Sequence, residues 1–353
     1  MSATFHPLRV AAIDELTDDA VALTFEVPAS LADEFVYTPG QHLNIRGGDD
    51  VRRSYSICTA PSSGRLRIGV KRLPGGAFSE GVLGSLRVGD TLDVMTPAGR
   101  FTTVIDPTVA RRCVVVAAGS GITPVLSIVT SILEGERGSS VTLIYANRTH
   151  RTVMFLDEVH DLKDRFPSRL QIVHVLSRES SDVELLSGRL DGSRLTRIVS
   201  ALVPGPADAD WFLCGPQQML VDLRATVSSL GVPDSQVHSE LFHADPVPRA
   251  PVAALDGGAE GTARVTIRLD GRSSELDLRP DDVPVLEAAL RVRADLPFAC
   301  KGGVCGTCRA RLVTGTVAMD ANYALEPDEI ERGYVLTCQA HPTAAEVVLD
   351  YDG

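Results

Sequence analysis

No stretch of this sequence is long and apolar enough to cross a bilayer. The most apolar run, Cys113 to Leu133, is interrupted by Gly119-Ser-Gly121 and Thr123-Pro124, which divide it into a strand, a loop and a helix. No basic segment followed by an apolar one opens the chain, so the expectation is a cytoplasmic protein. Internal repeats and low-complexity tracts are missing. None of the eight histidines stands at metal-ligand spacing from another, and no nucleophile–base set for hydrolysis stands out. Positive charge is short. Against 46 Asp and Glu there are 34 Lys and Arg, a net charge of −12, which argues against nucleic acid and against an anionic membrane as partners. The six-position Gly-x-Gly-x-x-Gly dinucleotide pattern is lacking too.

What is present is a 353-residue chain with 44% apolar residues, enough for two or three domains with buried cores. It has seven cysteines. Four stand as Cys300-x4-Cys305-x2-Cys308-x29-Cys338, the plant-type spacing for a [2Fe–2S] cluster held by four thiolates. Structural zinc takes paired short spacings, which this is not. Reaching two irons within nine residues needs a tight loop, and Gly302, Gly303 and Gly306 suit unusual backbone angles. The remaining Cys58, Cys113 and Cys214 lie in apolar settings and suit a reducing compartment.

The pattern of elements changes twice. Residues 1–106 read as an antiparallel β-barrel, with strands at Val21–Phe25, Arg65–Lys71 and Thr91–Val94 punctuated by Gly and Pro. Residues 107–245 alternate strands and helices. Strands are expected at Cys113–Ala118, Val141–Tyr145, Leu170–Leu176 and Trp211–Cys214. Helices are expected at Pro124–Leu133, Phe155–Lys163 and from Gln217. That is an open parallel α/β sheet. Residues 246–261, rich in Pro, Ala and Gly, read as a linker. Residues 262–353 open with a hairpin, Arg264–Leu269 and Ser274–Leu278 around Asp270-Gly271. A helix over Val283–Val292 and the cysteine loop follow. The fold class is multidomain: β-barrel, α/β sheet and an α+β ferredoxin-type domain.

The run Arg53-Ser54-Tyr55-Ser56, an Arg-x-Tyr-Ser on a barrel strand, resembles the flavin-binding motif of the ferredoxin–NADP reductase superfamily. The resemblance implies Arg53 on a pyrophosphate of FAD, Tyr55 along the flavin and Ser56 near its N5. A partner segment runs from Val70-Lys71 to Gly76-Ala77-Phe78-Ser79, where a short helix is expected to face the same pyrophosphate. Ala118-Gly119-Ser120-Gly121-Ile122-Thr123-Pro124 resembles the superfamily's nicotinamide-dinucleotide loop. Cys214-Gly215-Pro216 resembles the strand end beside the nicotinamide ring. Glu240 and Phe242 match the end that returns toward the flavin, as a proton-handling acid and a ring cover. On the adenosine side, Arg148, Ser177-Arg178 and Arg189 resemble NADP-binding members. NADPH is therefore the expected donor, although Glu179 next door keeps NADH open.

Together the three regions resemble flavin/iron–sulfur reductases with a plant-type ferredoxin domain at the C-terminus. Phe298-Ala-Cys-Lys-Gly-Gly-Val-Cys305, Leu176-Ser-Arg-Glu179 and Val317-Ala-Met-Asp-Ala-Asn322 are most similar to the reductase subunits of phenylacetyl-CoA epoxidases, with steroid 9α-hydroxylase reductases close by. The resemblance implies FAD, a [2Fe–2S] cluster and NADPH in series, with Ser56, Thr123, Cys214 and Glu240 at the hydride step. It implies a separate, di-iron, multi-subunit oxygenase as acceptor in phenylacetate degradation. The competing readings are a redox-sensing module, which has no need of a hydride donor, and a self-contained reductase of a small acceptor.

Overall fold

The computed structural model describes residues 4–47, 51–243 and 261–353. They fall into two compact units. One comprises, of the described residues, 6–47, 51 and 55–243. The other comprises 4–5, 52–54 and 261–353. All but the last residue of the linker expected over 246–261 lies outside the described residues.

The first sheet contains β1 (Phe5–Thr17), β2 (Ala20–Glu26), β3 (His42–Arg46), β4 (Arg52–Ser56), β5 (Leu66–Lys71) and β6 (Thr91–Met95), in the order β4-β3-β6-β1-β2-β5. Just beyond β4, Ile57 bridges antiparallel to Ile68 of β5, and the Cys58 N–H donates to the Arg67 carbonyl at 2.9 Å. The two edges thereby meet just beyond β4. Period-two alternation sorts the side chains. Leu66, Ile68 and Val70 of β5 fill the barrel with Val21, Leu23 and Phe25 of β2. Their neighbours Ala20 and Ala22 face the other way, into a core shared with the α/β region. A π-helical turn over Ala77–Val82 and the short helix α1 (Leu83–Ser85) follow β5.

The second sheet is wholly parallel. Its strands are β7 (Arg112–Ala118), β8 (Ser140–Asn147), β9 (Leu170–Leu176), β10 (Ala209–Pro216) and β11 (Val237–His243), in the order β11-β10-β7-β8-β9. Between them run α2 (Ile122–Gly135), α3 (Leu156–Arg165), α4 (Gly192–Leu202) and α5 (Gln217–Ser229). The chain starts at the centre, builds outward through β9, then returns to the other side of β7. The order reverses between β7 and β10, and the crevice at such a switch point is where α/β sheets take ligands. Helix α3 begins one residue later than expected, because Phe155 caps it in the left-handed region at φ 57°.

The C-terminal unit carries β12 (Ala263–Leu269), β13 (Arg272–Leu278), β14 (Arg309–Thr314), β15 (Val317–Met319), β16 (Tyr334–Leu336), β17 (Ala340–Pro342) and β18 (Glu346–Asp350). Five form a mixed sheet, β13-β12-β18-β14-β16, and β15 pairs with β17. The expected hairpin is present, and Asp270 and Gly271 hold positive φ (50° and 68°) at its turn. Two helices, α6 (Val285–Ala289) and α7 (Pro327–Glu331), complete it. Helix α6 is half the expected length. It starts behind Pro284. Beyond it Arg293 is drawn off the helix axis, donating to the carbonyls of Leu269 (2.9 Å) and Arg272 (3.0 Å).

Candidate active site

At the switch point two loops meet. Gly119–Gly121 leaves β7 as a 3-10 turn, and Gly119 holds φ 53°. Tyr145, buried on β8, fastens this loop by donating to the Gly119 carbonyl (3.1 Å), with the Met154 carbonyl also in reach at 3.2 Å. A Cβ on Gly121 would come within 2.4 Å of the Cys214 carbonyl oxygen and 3.2 Å of its Sγ. Glycine is therefore required where the β7 loop crosses the end of β10. Gly215 is hemmed in likewise by Met219 and Ala118. Pro216 is exposed and caps α5.

Parallel register sets Cys214 of β10 opposite Glu240 of β11. From the barrel, the Ser56 hydroxyl donates to Glu240 Oε2 at 3.3 Å. Ser56, Cys214, Glu240 and Gly121, distant in sequence, thus gather at one place. Burial, with the Glu240 carboxylate second, pushes the Cys214 thiol well above its ordinary range. It is a neutral thiol throughout the physiological range. Thr123 is fully buried, its hydroxyl donating to the Ser120 carbonyl (3.0 Å). Phe242 is partly buried against the shared core.

Tyr55 is half-buried and packs on Phe78 with ring centroids 5.3 Å apart. Arg53 is exposed, and its guanidinium donates to the Arg52 carbonyl at 2.7 Å. Val70 is buried inside the barrel, so it has only backbone to offer, and Lys71 pairs with Asp19 at 3.3 Å. The glycine segment is tightly folded. A Cβ on Gly76 would come within 2.3 Å of Ser79 Oγ. Ser79 Oγ accepts from Leu73 N–H (3.1 Å), and Glu80 accepts from Gly75 N–H (2.8 Å). A carboxylate thus already rests on one N–H of this turn, which fits a segment suited to anions. Ala77 is exposed above it.

The residues expected on the adenosine side, Arg148, Ser177, Arg178 and Arg189, are all exposed, beyond the ends of β8 and β9. The Arg178 N–H donates to the Arg148 carbonyl at 2.8 Å, so the two loops run together. Glu179 is engaged elsewhere: it accepts from His150 N–H at 2.8 Å.

In the C-terminal unit the four cysteines come as two pairs. Cys300 and Cys305 are hydrogen-bonded to each other, as are Cys308 and Cys338. Among the described residues no three His, Cys, Asp or Glu side chains gather round one ion. Two thiols for each of two irons is the donor set of a [2Fe–2S] cluster, and the residues fit it. Within the pairs, Cys305 and then burial raise the Cys300 thiol, and Cys338 and then burial raise Cys308. The hydrogen bond from Cys308 lowers Cys338. Backbone N–H groups of Gly302 (3.3 Å) and Cys305 (3.4 Å) point at Cys300 Sγ. Gln339 Nε2 lies 3.5 Å from Cys338 Sγ. Such donors stabilise sulfur charge. Of the three expected glycines, Gly303 and Gly306 hold positive φ (74° and 69°). Gly302 does not; Lys301 takes that conformation instead, at φ 54°. The roles of Tyr145, Phe155 and Gln339 went unread in the sequence. Each is a single polar tip or ring inside an otherwise ordinary element, with no spacing signal.

A closed barrel, a parallel sheet with its crevice at the switch point and a paired-cysteine unit together define a flavin- and nicotinamide-dependent iron–sulfur reductase. Residues 7–103 match the family described as oxidoreductase FAD-binding domain, residues 115–225 the oxidoreductase NAD-binding domain, and residues 267–343 the 2Fe-2S iron-sulfur cluster binding domain. The chain is 43% identical to one of the subunits of 1,2-phenylacetyl-CoA epoxidase from Escherichia coli (strain K12), over 99% of this chain and 98% of the relative. It is 33% identical to the ferredoxin reductase component of 3-ketosteroid-9-alpha-monooxygenase from Rhodococcus rhodochrous, over 98% and 96%. In fold it is similar to phthalate dioxygenase reductase (TM-score 0.61, 24% identity, 98% of both chains). The chain belongs to the flavin/iron–sulfur reductases with a C-terminal plant-type ferredoxin domain, and it is an NAD(P)H-dependent oxidoreductase using FAD and a [2Fe–2S] cluster. No helix among the described residues is long and apolar enough to cross a membrane.

Proposed function

We propose that this chain carries electrons from NADPH to a separate di-iron oxygenase that epoxidises phenylacetyl-CoA. The observation that carries the reading is the 43% identity to the Escherichia coli epoxidase component, spread over nearly both whole chains. FAD, when bound, supplies the conversion of a two-electron hydride into single electrons that a [2Fe–2S] cluster can accept. The division of labour follows domains at 1–106, 107–245 and 262–353, with 246–261 as linker. Arg53, Tyr55, Ser56, Val70, Lys71 and Gly76–Ser79 hold the flavin. Gly119, Gly121, Thr123, Gly215 and Pro216 hold the nicotinamide end.

The residues divide the hydride step simply. Gly121 and Gly215 keep the crevice open to a dinucleotide. Cys214 presents a neutral thiol to the approaching ring. Glu240 holds Ser56 by a hydrogen bond and can take or return a proton at Ser56 Oγ. Phe242 limits water. Cys300 with Cys305, and Cys308 with Cys338, hold one iron each. NADPH is the donor because Arg148, Arg178 and Arg189 offer exposed guanidinium charge to a 2′-phosphate. Glu179, the acid that could serve a 2′-hydroxyl, is tied to His150.

The test is reconstitution. Purified chain, NADPH, oxygenase subunits and phenylacetyl-CoA should yield epoxide. Turnover of a 3-ketosteroid with its own oxygenase, and none of phenylacetyl-CoA, would overturn the named substrate.

A further inference from the structure

Gly69 is the one residue of β5 with no side chain to occupy its outward face, and the α/β region fills the vacancy. A Cβ built there would lie 2.6 Å from Thr123 Cγ2, 2.9 Å from Phe155 Cε2 and 3.0 Å from Phe155 Cζ. All three distances are at or below closest carbon–carbon approach, so the methyl of Thr123 sits in a notch that exists only because residue 69 is glycine. Two observations show that the notch is held closed. Arg67, two residues earlier and on the same face, lies over the Phe155 ring with its guanidinium 5.4 Å from the centroid. It is 9% exposed and forms ion pairs with Asp14 of β1 (2.9 Å) and Glu158 of α3 (3.0 Å). Phe155 itself holds φ 57° at the cap of α3, a conformation an aromatic residue keeps only when its surroundings enforce it.

We propose that Gly69, clamped by Arg67 and Phe155, is a positioning residue that sets how close the Thr123 loop stands to the flavin barrel and so governs hydride transfer. The proposal rests on the reading that Thr123 lies beside the nicotinamide. Thr123 is fully buried, β-branched and tied by its hydroxyl to Ser120, so it cannot rotate away from an added methyl. Phe155 cannot yield either, with Arg67 across its ring. An alanine at position 69 must therefore push the Thr123 loop off the barrel. Misplacement of this size costs hydride transfer on the order of tenfold to a hundredfold. The adenosine arginines stand on other loops, so NADPH binding is spared.

The experiment compares wild type, Gly69→Ala and Gly69→Ala/Thr123→Ser by rapid mixing with NADPH, following flavin bleaching. Wild-type bleaching establishes the reductase reading by itself. Gly69→Ala should retain full FAD and nearly the same apparent Kd for NADPH, while bleaching slows on the order of tenfold or more. NADPH deuterated at the transferred hydrogen should show an undiminished isotope effect, placing the loss on the hydride step. Thr123→Ser removes the nearest colliding atom, Cγ2, and keeps the hydroxyl, while the Phe155 contacts at 2.9 and 3.0 Å remain; measured against a Thr123→Ser single variant, the double variant should therefore recover part of the lost rate. Bleaching of Gly69→Ala at the wild-type rate overturns the proposal. So does a slow variant that Thr123→Ser fails to rescue. A slow, rescued variant whose isotope effect has vanished would keep the steric notch but show that Thr123 does not stand at the nicotinamide.

Discussion

Replacing Arg178 with alanine isolates what the adenosine side reads. Arg178 is exposed at the loop after β9, so its loss should leave folding within about 0.5 kcal/mol of wild type. The effect belongs to the cofactor. A hydrogen bond to a charged group is worth ~1.5–3 kcal/mol. Exposure to water, and the presence of Arg148 and Arg189 to share the phosphate, put this contact at the lower end. A loss of ~1.4 kcal/mol is about a tenfold fall in kcat/KM. It should fall on NADPH alone, through KM, because NADH has no phosphate to lose. The assay is reduction of a small dye by each cofactor over a range of concentrations. Alanine at all three arginines should erase the preference. Equal losses with NADPH and NADH, or no loss with NADPH in the triple variant, would refute the reasoning.

Two further outcomes follow from buried groups. Glu136 is fully buried and accepts from Arg111 Nη2 (2.8 Å), Arg111 Nε (3.0 Å) and Ser139 Oγ (2.7 Å). Glu136→Ala takes the buried acid away from that guanidinium, which among the described residues keeps Asp210 as an acidic partner and still donates to Thr103 Oγ1 and the Val104 carbonyl, and should cost about 3 kcal/mol in thermal or urea unfolding; a change below about 1 kcal/mol would contradict the pairing. Cys58 and Cys113 are pushed up to about 12 by burial. The folded chain then keeps protons that the unfolded chain releases, so stability should fall as pH climbs from about 9 toward about 12, and both thiols should resist a thiol reagent at neutral pH until the chain unfolds.

Much of this architecture was legible where a pattern had a physical cause. β9 runs over Leu170–Leu176 and α5 starts at Gln217, both as the periodicity predicts, because apolar spacing and sharp polar boundaries leave one solution. The cysteine spacing announced a [2Fe–2S] cluster for the same reason: ligand geometry constrains the sequence directly; which cysteines pair was not legible in it. Other features had no local cause. Helix α4 (Gly192–Leu202) escaped, although Asp191 caps it and Leu195, Ile198 and Val199 are its buried face; its arginines and serines mask the stripe. The short strands β14–β18 depend on pairing across the unit rather than on their own propensity. Gly69 carries no signal of its own inside the strand expected over Arg65–Lys71. Only the placement of Thr123 and Phe155, 54 and 86 residues later, shows why no side chain fits there.

The central claim is that electrons reach the oxygenase only through the cysteine-held cluster. Cys305→Ser removes one thiol of the first pair and none of the flavin residues. With NADPH, the variant should lose cluster absorbance and iron, keep one FAD, and reduce a small dye at close to the wild-type rate. In the reconstituted system its product formation from phenylacetyl-CoA should fall to background. Full iron content in the variant, or oxygenase turnover at the wild-type rate without the cluster, would contradict the account.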